Sequence, residues 1–479
     1  MDTQKLRQRI LDLAIRGKLV PQDPNDEPAS VLLDRIRAEK ERLIAEGKIK
    51  RPKSKKSTDK SHYQHFTPPF EIPESWKWVS LPEVCRIPIT DGTHKTPIYS
   101  DKENGVPFLS SKDVTTRQIN WDNIKFIDRK LHEELYSRLA PKRYDILLAK
   151  NGTTGVAAMV DTDAVFDIYV TLALIRPMIP FVYPKYLLYV INSDLCKAQF
   201  NAHLTGIGLP NLHLSDINKT IIPLPPIEEQ IKIANEIDIW FSSVNMLEQN
   251  KEKLYVNITL AKSKILDLAM QGKLVPQDPA DEPAADMLLR INPKAKIITD
   301  NPHYPQLPDN WVLTTVESVC NYGYSENVGV DNIESLDWVL ELEDIEKDSG
   351  RIITKKVKQE RAINGVRHRF AKDNVLYSKL RTYLNKVLVA PTDGYCTTEI
   401  IPVKSSDCVI PEYLCAWLRS PFFLSYTAEC CYGVKMPRLS TTDARKGIIP
   451  LPPINEQKRI IQKLNEISTS LECLSNSLS

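Results

Sequence analysis

The sequence predicts an α+β protein: two mixed α/β globular domains joined by a pair of long antiparallel coiled-coil helices, with a pseudo-twofold internal duplication. Three observations carry this prediction. Long segments of the chain occur twice, the stretches between them read as short strands and loops, and a heptad pattern follows the first copy. At 479 residues the chain is long enough for two to four domains.

Three segments of the chain occur twice, each at its own offset. The first pair is identical at 20 of 27 positions, and the offsets of the three pairs are 255, 227 and 235. The pairs are residues 10–36 with 265–291, 221–237 with 448–464, and 73–85 with 308–320. The chain is therefore two copies of one unit whose intervening stretches differ in length and sequence.

A heptad pattern predicts the long central helix. Its seam is interrupted only by Lys251, and Gly272 followed by Pro276 predicts its end. At 1.5 Å per residue the seam is roughly 53 Å long. The apolar positions alternate in spacings of four and three: Ile233, Ile237, Trp240, Val244, Leu247, Leu254, Ile258, Ala261, Ile265 and Leu268.

The two ends of the chain carry the halves of a second such helix. Ser479 corresponds to position 252 of the central helix and Met1 to position 256, so the two ends together complete one copy. We therefore predict a split helix antiparallel to the central one. Lys251 then faces the terminal carboxylate or Glu472, or it extends into water. The C-terminal seam consists of Ile460, Leu464, Ile467, Leu471 and Leu474.

These features predict seven segments. The globular domains contain short Val/Ile/Leu runs between turn signals, followed by a helix. The segments are 1–20 (N-terminal half-helix), 21–69 (helical, basic linker), 70–226 (first globular domain), 227–275 (central helix), 276–304 (linker), 305–453 (second globular domain) and 454–479 (C-terminal half-helix).

Composition excludes several classes of protein. The net charge is +2, and both globular segments are near neutral, with 17 basic and 17 acidic residues in 71–226 and 18 and 19 in 305–453. No 18-residue apolar run predicts a membrane helix, and the charged N-terminus is not a signal peptide. Nine cysteines without a Cys-x-x-Cys pair indicate reduced thiols in a cytoplasm. The sequence contains no P-loop, no methyltransferase motif and no metal-ligand spacing.

The chain resembles the specificity subunits of Type I restriction–modification systems over nearly its whole length. The duplicated helices in a circular arrangement make the resemblance specific. It is carried by the duplicated L-D-x-A-x-x-G-K-L-V-P-Q signature, the P-L-P-P-I-x-E-Q helix starts, DGTHKTP (91–97), FLSSKDV (108–114), DILLAKNGTTG (145–155), LYSKLRTYLNKV (376–387), and the lead-ins at Gly206 and Gly433. One departure is that Asn374 aligns with Asp145, where the family has Asp; the neighbouring Asp373 is the alternative match.

The resemblance implies a function. Each globular domain would be a target recognition domain that reads one half of a split, asymmetric site in double-stranded DNA, and the helix pair would fix the spacer. Two modification subunits, which bind S-adenosylmethionine and methylate adenine, would dock on the helices. Two restriction subunits, with ATP- and Mg²⁺-dependent activity, would complete a cytoplasmic complex in a bacterium or archaeon. This chain itself would be non-catalytic, bind no cofactor and contact no membrane.

Polar and basic loop residues are the expected DNA contacts, because Lys and Arg suit guanine acceptors, Asn suits adenine, and Ser or Thr suits either base. Any one of them could equally be a solvated loop side chain, and Tyr383 could be a core residue. Tyr322 and Tyr324 are weaker candidates. The candidates are Thr93, His94, Lys95, Ser110, Ser111, Lys112, Lys150, Asn151, Thr153 and His213 in the first domain, and Lys379, Arg381, Tyr383, Lys386, Lys435 and Arg438 in the second.

Two alternatives remain open at this point. The basic stretch 48–60, with a local charge of +6, either follows a DNA backbone or is a solvated linker. The near-neutral domains also fit a coiled-coil scaffold that binds proteins instead of DNA. A DNA reader would place its two half-sites about one helical turn, roughly 34 Å, apart on one face of the duplex.

Overall fold

The computed structural model describes residues 2–49, 67–95, 97–202, 211–299 and 306–477. The chain divides into two compact units, residues 1–249 and 250–479. Most of the basic stretch 48–60, the lead-in positions Gly206 and Pro210, and the C-terminal residues 478 and 479 lie outside the described residues. The division falls inside the longest helix, so each unit contains one part of it.

Within its described residues the first unit contains six helices of its own, ten strands and the first part of a seventh helix. The helices are α1 (Thr3–Ile15), α2 (Ala29–Ala45), α3 (Arg129–Arg138), α4 (Pro184–Ile191), α5 (Asp194–Asn201), α6 (Leu214–Ile217) and α7 (Ile227–Met270). The strands are β1 (Lys77–Ser80), β2 (Thr90–Asp91), β3 (Tyr99–Ser100), β4 (Val106–Leu109), β5 (Lys125–Ile127), β6 (Ile146–Ala149), β7 (Ala157–Met159), β8 (Asp167–Ile168), β9 (Leu172–Ile175) and β10 (Ile221–Leu224).

Three sheets organise the first unit. Strand β1 pairs with β10, the order β2-β9-β6-β7 forms an antiparallel sheet, and β3-β5-β4-β8 forms a mixed sheet with a parallel β4–β8 pair. Both β6 and β9 are buried along their whole length, which explains their continuous apolar sequence. The largest core packs α1, α2 and α4 against the β1–β10 pair and the β2-β9-β6-β7 sheet.

The second unit repeats this plan. Its helices are α8 (Ala284–Ile291), α9 (Val316–Val319), α10 (Pro411–Leu418), α11 (Pro421–Cys430), α12 (Thr441–Lys446) and α13 (Ile454–Ser477). Its strands are β11 (Ile297–Ile298), β12 (Val312–Thr315), β13 (Glu326–Gly329), β14 (Val339–Leu340), β15 (Val366–Phe370), β16 (Val375–Ser378), β17 (Val387–Val389), β18 (Gly394–Thr397), β19 (Ile400–Val403) and β20 (Ile448–Leu451).

The sheets of the second unit have the orders β11-β12-β20, β13-β15-β18-β14 and β17-β16-β19. The parallel β14–β18 pair matches the β4–β8 pair of the first unit. The segment 276–304, expected to be a linker, contains α8 and β11, and β11 pairs with β12. The expected α+β fold with two sheet-rich regions and one long helix is confirmed.

A buried glutamate at the start of a long helix joins the repeated segments of the first unit. Glu229, in the first turn of α7, accepts hydrogen bonds from Gln22 at 2.6 Å and from the indole Nε1 of Trp76 at 2.8 Å. These three residues come from the three segments that occur twice in the sequence. The glutamate therefore connects the loop that contains Gln22, the residue before β1 and the first turn of α7, which are far apart along the chain.

The second unit builds the same junction with the second copies. Glu456, in the first turn of α13, accepts from Gln277 at 2.8 Å and from Trp311 Nε1 at 3.0 Å. Gly272 has a φ of +69°, and its counterpart Gly17 in the first unit has a φ of +66°. A Cβ on either glycine would lie 2.5 Å from a proline ring. Glycine at these positions is therefore required by both the left-handed backbone and the close approach.

Helix α1 runs antiparallel to the first part of α7 within the first unit. Arg7 of α1 pairs with Glu248 at 2.7 Å, whereas Gln22, beyond the end of α1, reaches back to Glu229. In the second unit Arg459 of α13 pairs with Asp281 at 2.7 Å, which is the equivalent of the Lys232–Asp26 pair at 3.2 Å in the first unit. The antiparallel partnership that the sequence predicted is present in the first unit.

The predicted seam is only partly buried. Its buried positions are Ile233, Ile237, Val244, Ile258 and Ile460; Ile265, Leu268, Leu464, Ile467 and Leu471 are half-buried; Trp240, Leu247, Leu254 and Leu474 are exposed. The reason lies in the contacts of α1. Arg7 covers the ring of Phe241, at 5.6 Å, and pairs with Glu248. That side of α7, marked by Phe241 and Glu248, is turned about 80–120° from Trp240 and Leu247 at 3.6 residues per turn. Trp240 and Leu247 therefore lie outside the contact with α1, whereas the assignment of Leu254 and Leu474 to the seam stays a prediction.

Lys251 is half-buried and forms no ion pair with any described residue, Glu472 included. The terminal carboxylate lies outside the described residues. All nine cysteines are unbridged. Within the part of the chain that the structure describes, no helix is long and apolar enough to cross a membrane.

We expect Glu229→Ala to lower the local stability of the first unit by about 1–3 kcal/mol, because the buried indole N–H of Trp76 loses its acceptor. Hydrogen exchange of peptides covering 73–85 and 221–237 measures this, and the equivalent peptides of the second unit serve as the internal control. Unchanged exchange in the first unit would contradict the role of Glu229.

The same junction predicts a pH effect. Burial raises the pKa of Glu229, while Trp76 and Gln22 lower it by donating to the carboxylate. A raised folded pKa means that the favourable contribution is complete below the unfolded value, about 4.3, and is lost as pH rises through the folded value. Glu229→Gln should remove this loss, so the variant's exchange rates, corrected for intrinsic chemistry, should depend less on pH between 4 and 7. An unaltered pH dependence would show that the carboxyl does not titrate in this range.

Candidate nucleic-acid interface

A loop held between two backbone hydrogen bonds follows β6 in the first unit. Lys150 donates its backbone N–H to the carbonyl of Thr171 at 2.8 Å and accepts from the N–H of Leu212 at 2.9 Å. Asn151 forms a backbone bridge to Asn211. The end of β6, the loop 150–154 and residues 211–213, which precede α6, therefore lie side by side.

The second unit holds its loop after β16 in the same way. Lys379 donates to the carbonyl of Glu399 at 3.0 Å and accepts from Leu439 at 2.9 Å, and Leu380 bridges to Arg438. The pattern makes Lys379 the counterpart of Lys150, and Arg438 the counterpart of Asn211. Sequence reasoning had aligned these two loops from the strings LLAK and LYSK alone.

The same contacts decide the register at Asn374. Asp145 accepts from the N–H of Lys142 at 2.8 Å, and Asn374 accepts from the N–H of Ala371 at 3.0 Å, each closing the turn before its strand. Asp373 has a φ of +65°, matching the +72° of Tyr144. Asn374 therefore occupies the position of Asp145, and Asp373 does not substitute for it.

A third pair of equivalent elements is the short 3-10 turn that follows β4 and β14. In the turn Ser111–Val114, Asp113 accepts from the N–H of Ser110 at 2.7 Å; in the turn Leu342–Asp344, Asp344 accepts from the N–H of Glu341 at 2.8 Å. The backbone arrangement, which we call the shared frame, is the same in both units although the side chains differ. At the second position of each turn, Lys112 is 53% exposed and Glu343 is 79% exposed.

Lys150 does not face solvent. Its Nζ donates to Oδ2 of Asp91 at 2.5 Å, and both side chains are only 8% exposed. A second oxygen of Asp91 lies 3.3 Å from Nε2 of the exposed His94. The expectation that Lys150 contacts DNA is therefore corrected: its ammonium is engaged in a buried ion pair that fixes the base of the 91–95 loop.

Two other candidates of the first unit are also structural. Thr93 is buried and its backbone bridges to Tyr169, while Ser110 caps the 3-10 turn through Asp113. These positions hold the loops in place and do not offer side chains to a ligand. Ser111 and Asn151 are half-buried. The exposed candidates of the first unit are His94, Lys95, Lys112, Thr153 and His213.

In the second unit three candidates are exposed together. Arg381, Tyr383 and Lys435 lie on adjoining loops, because the N–H of Arg381 donates to the carbonyl of Pro437 at 2.7 Å. Lys435 is part of a loop, residues 431–438, that is closed by a backbone bridge between Tyr432 and Arg438. These loops form a basic and aromatic surface.

The other candidates of the second unit are engaged in contacts within the fold. Arg438 pairs with Glu399 at 2.9 Å, and Lys386 donates to the carbonyl of Leu342 at 2.7 Å. Burial lowers the pKa of Lys386, and nearby carboxylates raise it. Lys379 is half-buried. Expecting Arg438 and Lys386 to point freely toward DNA was wrong, because backbone spacing alone does not reveal such partners.

The two weaker tyrosine candidates behave differently. Tyr322 is buried, whereas Tyr324 is exposed, with the guanidinium of Arg445 4.5 Å from its ring centroid. Arg445 was not singled out from the sequence, since it lies in a helix rather than a loop. The exposed Tyr432, Val434 and Met436 were missed as well, although their position between Gly433 and Lys435 was a usable signal.

The comparisons with known proteins agree with this duplicated frame. The family described as Type I restriction modification DNA specificity domain matches residues 73–255. The EcoAI specificity subunit of Escherichia coli is 27% identical over 547 aligned positions, covering 97% of this chain and 88% of that protein. The EcoEI specificity subunit is 32% identical, covering 60% of this chain and 54% of that protein.

The family model, the curated relatives and the solved structures all indicate a specificity subunit of a Type I restriction–modification system. The HsdS subunit from Thermoanaerobacter tengcongensis shares its fold, with a TM-score of 0.51 and 18% identity over 86% of this chain and 94% of that one. A structure from work on complex assembly and conformational transition of the type I R-M system gives a TM-score of 0.53 at 19% identity and the same coverage. In this chain the matched domain ends at residue 255, and the internal duplication extends the same frame to the second unit.

The buried pair predicts that Lys150→Met acts on stability. Leaving Asp91 buried without its partner should cost about 3–5 kcal/mol, since an uncompensated charge remains inside the fold. Hydrogen exchange of β2 and β6 measures the effect.

The matched control is the double variant Asp91→Asn with Lys150→Met, which should lose less than the sum of the two single changes. If Lys150→Met instead left stability unchanged and weakened DNA binding alone, Lys150 would be a contact residue and the structural assignment would fail.

Proposed function

We propose that this chain reads a bipartite, asymmetric DNA sequence, with one half-site for each unit, and directs methylation and restriction by partner subunits. The observation that carries the proposal is the exchange of charge at one position of the shared frame. Lys112 in the first unit and Glu343 in the second occupy the same turn position and are both exposed, although Lys112 lies 3.9 Å from Asp113 and Glu343 lies 3.5 Å from Arg361. Two copies of one frame with opposite side chains suit two different sequences.

The two side chains fit different base edges. A lysine donates to the O6 and N7 acceptors of guanine, whereas a glutamate accepts from the N4 amino group of cytosine. Around Lys112 the exposed His94, Lys95 and Thr153 supply further donors. In the second unit Arg381, Lys435 and the Tyr324–Arg445 pair supply phosphate contacts and aromatic surface.

Because the globular segments of both units are near neutral, they attract the negatively charged DNA backbone only weakly. With 17 basic and 17 acidic residues in 71–226, the first unit offers little long-range attraction to a phosphate backbone. We propose that two modification subunits, which hold S-adenosylmethionine, and two restriction subunits, which use ATP and Mg²⁺, supply the remaining contacts and all of the chemistry.

The exposed side of α7 supports docking of a modification subunit. Ile239, Trp240, Met246 and Leu247 are exposed along the first part of the helix, and neighbours seven residues apart repeat the pattern. An apolar stripe of this kind suits an amphipathic partner helix. The continuous helix of 44 residues would also serve as the element that fixes the spacer between the half-sites.

Methylome sequencing tests the proposal. Co-expressing this chain with its modification subunit should add a split, adenine-methylated motif to host DNA, and the motif should disappear without the chain. An assembled complex that adds no motif, and whose DNA binding shows no salt dependence, would identify a protein-binding scaffold instead.

Point variants should relax the two half-sites separately. Lys112→Ala should cost about 1–3 kcal/mol of discrimination at one base pair of one half-site, and Glu343→Ala should do the same in the other. The control is Arg42→Gln, an exposed residue of α2 whose partners Glu39 and Glu46 lie on its own helix. Relaxation of the same half-site by both variants would contradict the division of labour.

A further inference from the structure

The first unit contains an open cleft of about 850 Å³ that no expected DNA contact lines. Its walls are the first turns of α1, the turn Thr115–Arg117 and the start of α5. Five basic and three acidic residues line it: Lys5, Arg7, Arg9, Arg117 and Lys197, and Asp2, Asp12 and Asp194. Cations therefore outnumber carboxylates in its lining.

Each carboxylate of the cleft already has a cationic partner. Asp12 pairs with Arg16 at 2.8 Å and with Arg9 at 3.5 Å. Asp194 lies 3.4 Å from Lys197, and Asp2 caps α1 while lying 3.7 Å from Lys5. The acidic residues are thus engaged by neighbouring cations, although the charge of Asp194 also acts on Arg117.

Arg117 is the cation left over. It is half-buried and forms no ion pair with a described residue; its Nη2 lies 3.0 Å from the amide oxygen of Gln8, which also accepts from Lys197 at 2.6 Å. Nη1 of the neighbouring Arg7 is buried without a hydrogen-bond partner among the described residues. Burial and the positive charge of Arg7 lower the pKa of Arg117, while Asp194 raises it. Arg7 pairs with Glu248 through Nη2 only, so Nη1 of Arg7 and the guanidinium of Arg117 both lack an ion pair with a described residue.

The backbone at Arg117 belongs to the shared frame, but the charge does not. Arg117 follows the aspartate of its 3-10 turn by four residues and has a φ of +63°; Asp348 follows Asp344 by four residues and has the same φ. The left-handed conformation is therefore common to both units, and only the first places a cation there. The positive cleft is specific to that unit.

The cleft adjoins the candidate interface. Thr115 and Arg117 come three and five residues after Lys112, and Val156, which also lines the cleft, comes two residues after the loop 150–154. An anion in the cleft would lie next to the groups proposed to read bases. Guanidinium groups bind phosphate through several charge-assisted hydrogen bonds, and the open shape accommodates a group carried on a larger molecule.

We propose that this cleft is a phosphate-binding site with Arg117 as its central ligand. A backbone phosphate flanking the first half-site is the primary source, and this choice rests on the proposed function; a free phosphate or nucleotide phosphate is the second source of the same chemistry. Sequence reasoning missed the site because its cations come from a helix of the duplicated frame and from a turn between strands.

The first arm of the test measures the salt dependence of DNA binding. The complex of the full chain with its modification subunit is titrated with a duplex bearing its methylated motif and with a scrambled duplex. Arg117→Gln should reduce the slope of log affinity against log salt by about 0.9, the value for one lost phosphate contact, and weaken both duplexes by the same factor. Arg117→Lys should retain the slope, and Arg42→Gln should behave like the wild type.

The second arm omits DNA. The melting temperature of the complex is measured in inorganic phosphate, and in ATP without divalent cations, against chloride at equal ionic strength. General salting effects act on wild type and variant alike, so only a larger stabilisation of the wild type than of Arg117→Gln reports the cleft.

Each outcome decides the question. A reduced slope assigns the cleft to the DNA backbone. An unchanged slope with phosphate stabilisation that depends on Arg117 assigns it to free phosphate. An unchanged slope without such stabilisation overturns the proposal. If the wild-type complex shows no salt-dependent DNA binding, the proposed function fails, and the second arm alone still decides whether the cleft binds phosphate.

Discussion

A buried carboxylate at the first turn of a long helix is the interaction on which each unit depends. Glu229 and Glu456 each accept from a tryptophan indole and a glutamine amide, which come from two other repeated segments. Burying a carboxylate is unfavourable unless donors surround it, so all three segments must be present together. This requirement explains why the helix start, the Trp segment and the Pro-Gln loop are duplicated as a set, whereas the chain between them varies.

The frame built on this junction positions the loops without specifying their side chains. Backbone hydrogen bonds hold Lys150 and Lys379 in equivalent places, and capped 3-10 turns hold Lys112 and Glu343. A loop fixed through its backbone is free to change its exposed side chain at little cost in stability. Charge can therefore be exchanged between the units while the fold remains the same, as a reader of two unlike half-sites requires.

The same logic separates residues that hold a loop from residues that a ligand could reach. Lys150 and Arg438 have the chemistry of DNA contacts, but each is paired with a carboxylate of its own unit. Arg117 has the opposite character, since it lies within the influence of the Arg7 guanidinium and forms no ion pair with a described residue. Pairing inside the fold, rather than residue type, decides which cations remain available for an anion.

The sequence by itself determined the duplication, the α+β class, the long helix and the family, because identity at fixed offsets and heptad spacing are properties of the chain order. It also located the loops that contain His94, Lys112 and Arg381. Only the tertiary structure decided which side of α7 is covered, since that depends on where Arg7 and Phe241 meet. It also decided that Lys150 is buried and Arg117 is not paired, because ion pairs join residues whose distance along the chain carries no signal.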